Sequence, residues 1–183
     1  MIYKMNIAGV ERDLPLCPVN EELYIAGFVM FGDVELTVKA AEALVKIAPE
    51  HDMILTPESK SIPLAYEMAK IQHKEYIVAR KASKLYMSDV ISASVNSITT
   101  ANTQTLCLGG EEIEKLKGKK VLLIDDVIST GESIAVLKLL AEKAGAEVVG
   151  QMAVLAEGEA ADRNDIIFLE KLPLFDDKGN PLT

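Results

Sequence analysis

Residues 121–133 read VLLIDDVISTGES, and their order decides the fold. Four apolar residues, Val121 to Ile124, are a buried strand in pattern, and the strand ends on two acids, Asp125 and Asp126. A small polar turn follows, then ESIAVLKLLAEKA (132–144), which carries apolar residues at helical spacing and stops at Gly145. A helix N-terminus exposes four backbone N–H groups without intrahelical partners, and the macrodipole is positive there. Ser129, Thr130, Gly131, Glu132 and Ser133 therefore have the chemistry of an anion cradle, with hydroxyls to add donors and a glycine that permits close approach. No Lys follows the glycine, so this is not the common nucleotide loop, and a monophosphate suits it better than a triphosphate. Two acids beside an anion make sense if they accept hydrogen bonds from sugar hydroxyls or hold a cation, which points to a ribose 5-phosphate. A structural alternative stays open, because Ser129 and Glu132 also fit a capping box.

Outward from this unit the same alternation repeats. Segment 37–48 has helical spacing and stops at Pro49; Met53 to Leu55 is a short apolar strand; 63–72 is a helix with Pro63 in its first turn; 76–79 and 148–155 are further strands. The pattern predicts an α/β fold, a doubly wound, mostly parallel sheet flanked by helices. Ligands of such sheets bind beyond the carboxyl ends of the strands, here residues 56–62, 80–85 and 125–133. Segment 85–108 departs from the pattern. It is rich in Ser and Thr, and 103–108 alternates as a strand for which Val90–Ile98 is a possible antiparallel partner, with a turn near Thr100–Asn102. Such a ribbon is either a lid or an ordinary solvated hairpin.

The chain has 183 residues, 49% hydrophobic and 26% charged, enough to form one domain without disulfide or metal support. The net charge of −9 argues against nucleic acid and anionic membranes, and demands that any cations meeting a phosphorylated substrate be concentrated locally. No apolar stretch reaches the length of a membrane span, and the N-terminus has no signal-peptide pattern. Cys17 and Cys107, like His51 and His73, fit no metal or redox spacing, so the expectation is a cytoplasmic protein with reduced cysteines.

IDDVISTGES resembles the phosphoribosyl-pyrophosphate (PRPP) signature of type I phosphoribosyltransferases: a hydrophobic strand, two acids, two apolar residues, a variable residue, Thr-Gly, any residue, then Thr or Ser. Thr56-Pro57-Glu58-Ser59-Lys60-Ser61 resembles the pyrophosphate loop of the adenine enzymes, with Lys60 where an Arg is usual and a non-proline cis peptide implied at Glu58–Ser59. IVARKASKLY (77–86) resembles their V-R-K-x-G-K-L-P segment and packs Arg80, Lys81 and Lys84 into five residues of a chain with three arginines. Val29 to Asp33 resembles their V-x-F-R-D, with Gly32 in place of Arg.

The resemblance implies the type I fold, one domain over 1–183: a small hood from about 1–30 and the C-terminal segment, a core of about 31–155, and a flexible β-ribbon lid of about 85–108. It implies catalytic roles for Asp125, Asp126 and Lys84, the 5-phosphate on Ser129–Ser133, and pyrophosphate on Glu58, Ser59, Lys60, Arg80, Lys81 and Lys84. Phe31 would stack on the purine or serve as plain core. Mg²⁺ would arrive bound to PRPP rather than held by protein ligands, and the protein would be a homodimer of purine salvage. The lid, VISASVNSITTANTQT, is closer to bacterial xanthine phosphoribosyltransferases and their repressor relatives. Ser129 stands where hypoxanthine–guanine enzymes have an Asp. Adenine is the expected base, with xanthine, or a PRPP-binding regulator without chemistry, as alternatives.

Overall fold

The computed structural model describes residues 1–96 and 103–182. The strands are β1 (Ile2–Ile7), β2 (Val10–Pro18), β3 (Tyr24–Ala26), β4 (Met53–Pro57), β5 (Glu75–Ala79), β6 (Ile91–Asn96), β7 (Thr103–Leu108), β8 (Lys120–Ile128), β9 (Glu147–Glu157), β10 (Ile167–Leu172), β11 (Leu174–Phe175) and β12 (Pro181–Leu182). The helices are α1 (Val34–Ile47), α2 (Ile62–Gln72), α3 (Gly110–Leu116) and α4 (Glu132–Lys143), with a 3₁₀ turn at Gly158–Asp162.

The central sheet has five strands in the order β10-β9-β8-β4-β5, all parallel. Its inner strands read as nearly continuous apolar runs because both faces are covered. Leu36, Ala40 and Leu44 of α1 and Leu64, Ala65 and Met68 of α2 pack one face, against Ile54, Leu122, Ile124, Met152 and Val154. Ile134, Val136, Leu137 and Leu140 of α4 pack the other, against Leu55, Leu123 and Ala153. The sheet runs past the expected core boundary near 155, because β10 returns parallel beside β9.

Residues near the two ends of the chain come together in a second sheet, β1-β2-β3-β11-β12. Its first hairpin turns through Ala8 and Gly9, both at positive φ, the two-residue geometry that matches strand twist. The ribbon β6–β7 pairs Ile91 with Leu108 through Asn96 with Thr103, and its base lies on α4 through buried Ala93, Leu106 and Leu108. The expected turn at Thr100–Asn102, with the other lid residues 97–99, lies outside the described residues. Among the described residues no helix is long and apolar enough to cross a membrane.

Candidate active site

The strand order creates the site. From β4 the chain winds through α2 to β5 on one side; from β8 it winds through α4 to β9 on the other. The crevice between β4 and β8 is thus the topological switch point, where doubly wound sheets hold ligands. The two strands pair only from Met53↔Val121 to Leu55↔Leu123 and then part, while β8 continues along β9 to Ile128. Thr56 bridges the fork, its Oγ1 donating to Ile124 O at 2.9 Å and lying 2.8 Å from Ser61 Oγ.

Both acids are buried, and both line the crevice. Asp125 is buried beside the head of α4, where Oδ1 accepts the Asp126 N–H at 2.9 Å and Ser133 lines the same recess. Burial, and next the proximity of Asp126, push its carboxyl up to about 7. Asp126 faces the loop after β4, with Lys60 Nζ 2.9 Å from its Oδ2. That approach is not aligned as a hydrogen bond, so the buried Oδ2 has a counter-charge but no directed donor.

At the head of α4 the N-cap is Gly131 at φ 79°, and no side chain caps the helix. The capping box read from Ser129 and Glu132 is therefore not formed, and among the described residues no side chain caps the free amides of the first turn. Ser129 to Ser133 line a recess of about 70 Å³. It adjoins a larger cavity of about 630 Å³ lined by Glu58, Ser59, Lys60, Lys81, Asp125, Asp126 and Ser133, together with Gln104, Thr105 and Leu106 of the ribbon. The Glu58–Ser59 peptide is cis.

Three expected residues lie outside that lining. Arg80 forms a two-bond bridge with Cys107 that ties the ribbon to the sheet edge, and its guanidinium meets Tyr86 Oη at 2.9 Å and Glu58 Oε1 at 3.5 Å. Lys84 holds a turn through its backbone N–H to Met87 Sδ, and its charge helps to lower the Glu58 carboxyl. Phe31 is 52% exposed on the loop before α1, so its plain-core alternative fails; Phe28 and Met30 fill the core there. This loop is pinned by Arg12, whose Nε and Nη2 bind the Asp33 carboxylate at 2.6 and 2.9 Å while Asp33 caps α1 through Leu36 N–H.

The Glu58 side chain has a structural role of its own beside the loop amides. Its Oε2 accepts the Lys81 N–H at 3.0 Å, and its carboxyl is held below the usual range first by that bond and then by Arg80, Lys84 and Lys81. The side chain joins the 57–61 loop to the 80–81 turn.

Sequence reasoning also passed over Gln104, Thr105, Glu157 and Arg163. Glu157, at the end of β9, is half-buried, and burial raises its carboxyl against the pull of Lys60. Its position just past the end of an apolar strand is the signal that was available.

A profile of the phosphoribosyl transferase domain matches residues 34–180. The chain belongs to the phosphoribosyltransferase family. A hypoxanthine/guanine phosphoribosyltransferase of Methanococcus voltae is 34% identical over 125 residues, 68% of this chain and 63% of that relative. An adenine phosphoribosyltransferase of Petrotoga mobilis is 30% identical over 142 residues, 76% of this chain and 79% of the relative. The crystal structure of the Thermoanaerobacter pseudethanolicus adenine phosphoribosyltransferase superposes with a TM-score of 0.71 over 87% of this chain and 95% of that one, at 20% identity. As a phosphoribosyltransferase, the chain carries the type I architecture expected from residues 121–133.

Proposed function

We propose that this phosphoribosyltransferase joins a purine, adenine first, to PRPP, giving the nucleoside monophosphate and pyrophosphate. The observation that carries the reading is the switch-point crevice, where two buried acids lie between an uncapped, glycine-started helix and a loop bearing Lys60. The purine nitrogen bonds to C1 of the ribose as the C1–O bond breaks, pyrophosphate leaves with the bonding electrons, and the base passes its ring proton to solvent.

The residues divide the work by charge. The amides and hydroxyls of 129–133 take the 5-phosphate. Asp125 and Asp126 accept the ribose hydroxyls and lie near the positive charge that develops on the sugar. The amides around Ser59, with Lys60 and Lys81, hold the leaving pyrophosphate; Arg80 and Lys84 add positive field from beside the cavity. To reach the substrate, Lys60 must exchange its contact with Asp126 for one with pyrophosphate. The orphaned Oδ2 of Asp126 fits a hydroxyl or a water of hydrated Mg²⁺. Mg²⁺ would take most of its ligands from PRPP itself. Bound there, it neutralises pyrophosphate charge. The ribbon would cover the site and exclude water, and Phe31 would stack on the base.

Adenine is favoured by the segments at 29–33 and 77–86 and by Ser129, which cannot accept a purine N7 proton as an Asp would. A cytoplasmic homodimer serving purine salvage completes the proposal. Pyrophosphate release from PRPP and Mg²⁺ with adenine, hypoxanthine, guanine or xanthine tests it. Turnover favouring adenine at least tenfold supports it; turnover with a 6-oxopurine alone reassigns the base; PRPP binding without turnover makes the chain a sensor.

A further inference from the structure

Arg163 lies just beyond the 3₁₀ turn that follows β9, about thirty residues from the cradle and outside the four segments read from the sequence as site motifs. Its guanidinium is already oriented. Nε donates to Asp165 Oδ1 at 2.9 Å and Nη2 to Asp165 Oδ2 at 2.8 Å, a two-point fork that fixes the plane of the group. Asp165 is kept ionised chiefly by Arg163 itself. The fork leaves Nη1 without an acceptor among the described residues, and Nη1 is the atom that lies against Gly131. A methyl group on Gly131 would collide with it. The glycine that begins α4 at positive φ thus has a guanidinium packed against it, from just outside the residues that line the recess.

The electrostatics make this placement consequential. The chain carries −9 overall, and the acids Asp125 and Glu132 line the cradle, with no Lys or Arg among the described residues that line it. Lys60 is turned to Asp126, and Lys81 lines the far cavity wall with the 57–61 loop. A phosphate monoester arriving at 129–133 needs a cation of its own. The fork to Asp165 leaves Nη1 as the donor edge that remains, at the residue where the helix amides begin.

The geometry points to Arg163 as a further phosphate-binding residue, one that donates from Nη1 to the terminal phosphate monoester held at the head of α4, with Asp165 as its positioning residue. This deepens the function proposed above and rests on it. The ligand class is a sugar or nucleoside 5-phosphate; pyrophosphate, held at the other end of the cavity, is outside its reach.

Calorimetric titration of the full chain with ribose 5-phosphate, and separately with pyrophosphate and Mg²⁺, provides the test. Arg163→Gln is expected to weaken ribose 5-phosphate binding about tenfold, as loss of one charge-assisted hydrogen bond does, and to change pyrophosphate binding less than twofold. Arg163→Lys should recover part of the loss, and Asp165→Asn should weaken ribose 5-phosphate binding about threefold by freeing the fork. Equal losses for both ligands would mean a merely structural ion pair and overturn the assignment. Undiminished ribose 5-phosphate binding in Arg163→Gln, while Thr130→Val weakens it, overturns the role of Arg163 and leaves the cradle standing. Ribose 5-phosphate binding that neither Thr130→Val nor Asp126→Asn disturbs overturns both.

Discussion

Replacing Asp125 with Asn should make the free protein more stable and the enzyme worse. The carboxyl is 7% exposed, beside a second acid, and sits at about 7 where an ordinary aspartate titrates near 3.8. Between those values the folded chain holds a proton that the unfolded chain has released, so stability falls as pH rises through the window and is lowest above about 7. The displacement sets a ceiling of about 4 kcal/mol on that loss. Re-solvation of the pair relieves part of it, and about 2 kcal/mol is a reasonable expectation, or roughly 4–8 °C for a chain of this size. Asn cannot ionise and escapes the loss, while its carbonyl still accepts the Asp126 N–H. Thermal unfolding of both proteins without ligand, at constant ionic strength and about pH 5, 6, 7 and 8, reads the difference. The gap between the two melting temperatures should be smallest at pH 5, where roughly two-fifths of the loss has accrued, and should widen steadily to pH 8, while PRPP no longer stabilises the variant as it stabilises the parent. A gap that stays flat across that range, or a variant that melts lower at pH 8, would refute the reasoning that Asp125 is a buried carboxyl held unfavourably for the sake of a ligand.

Three other outcomes follow from the site. Glu58→Ala should raise the KM for pyrophosphate in the reverse reaction about tenfold with the nucleotide KM unchanged, and Glu58→Gln, which keeps an acceptor for the Lys81 N–H, about threefold; tighter pyrophosphate binding in either variant would show that the carboxylate merely repels the ligand. Phe31→Ala should raise the KM for the base about tenfold and leave that for PRPP alone, while melting within about 2 °C of the parent because the ring is half-exposed; a base KM that does not move removes Phe31 from the site. Asp33→Ala removes the cap of α1 and the fork to Arg12 together and should cost about 1–2 kcal/mol in urea unfolding; an unchanged midpoint would show that the loop is pinned by other contacts.

Residues 121–133 were readable because their chemistry is local. An apolar run followed by Asp-Asp, small polar residues and a helical period states strand, turn and helix within one window, and strand–helix alternation does the rest. Where the pattern gave less, a partner distant in sequence decides the structure. The segments 2–18 and 174–182 show no strong period, and they become strands by pairing in one sheet. The capping box failed for a similar reason. Ser129 and Glu132 have its spacing, but β8 runs on to Ile128 and the helix opens at Gly131, which places Ser129 outside the cap.

The type of chemistry was written in the chain: which residues are acids, which turn frees its amides, which run concentrates cations. The direction in which each of them points was not. Arg80 and Lys60 have the right identities for an anion site, yet Arg80 is spent on Tyr86 and the ribbon and Lys60 on Asp126, while the acid Glu58 beside them takes the Lys81 N–H. Arg163 reaches Gly131 only because β9 delivers it beside α4. A side chain's partners are set by what the folded backbone brings within about 3 Å, and that distance is a property of the packed sheet and its crossovers rather than of any window of sequence.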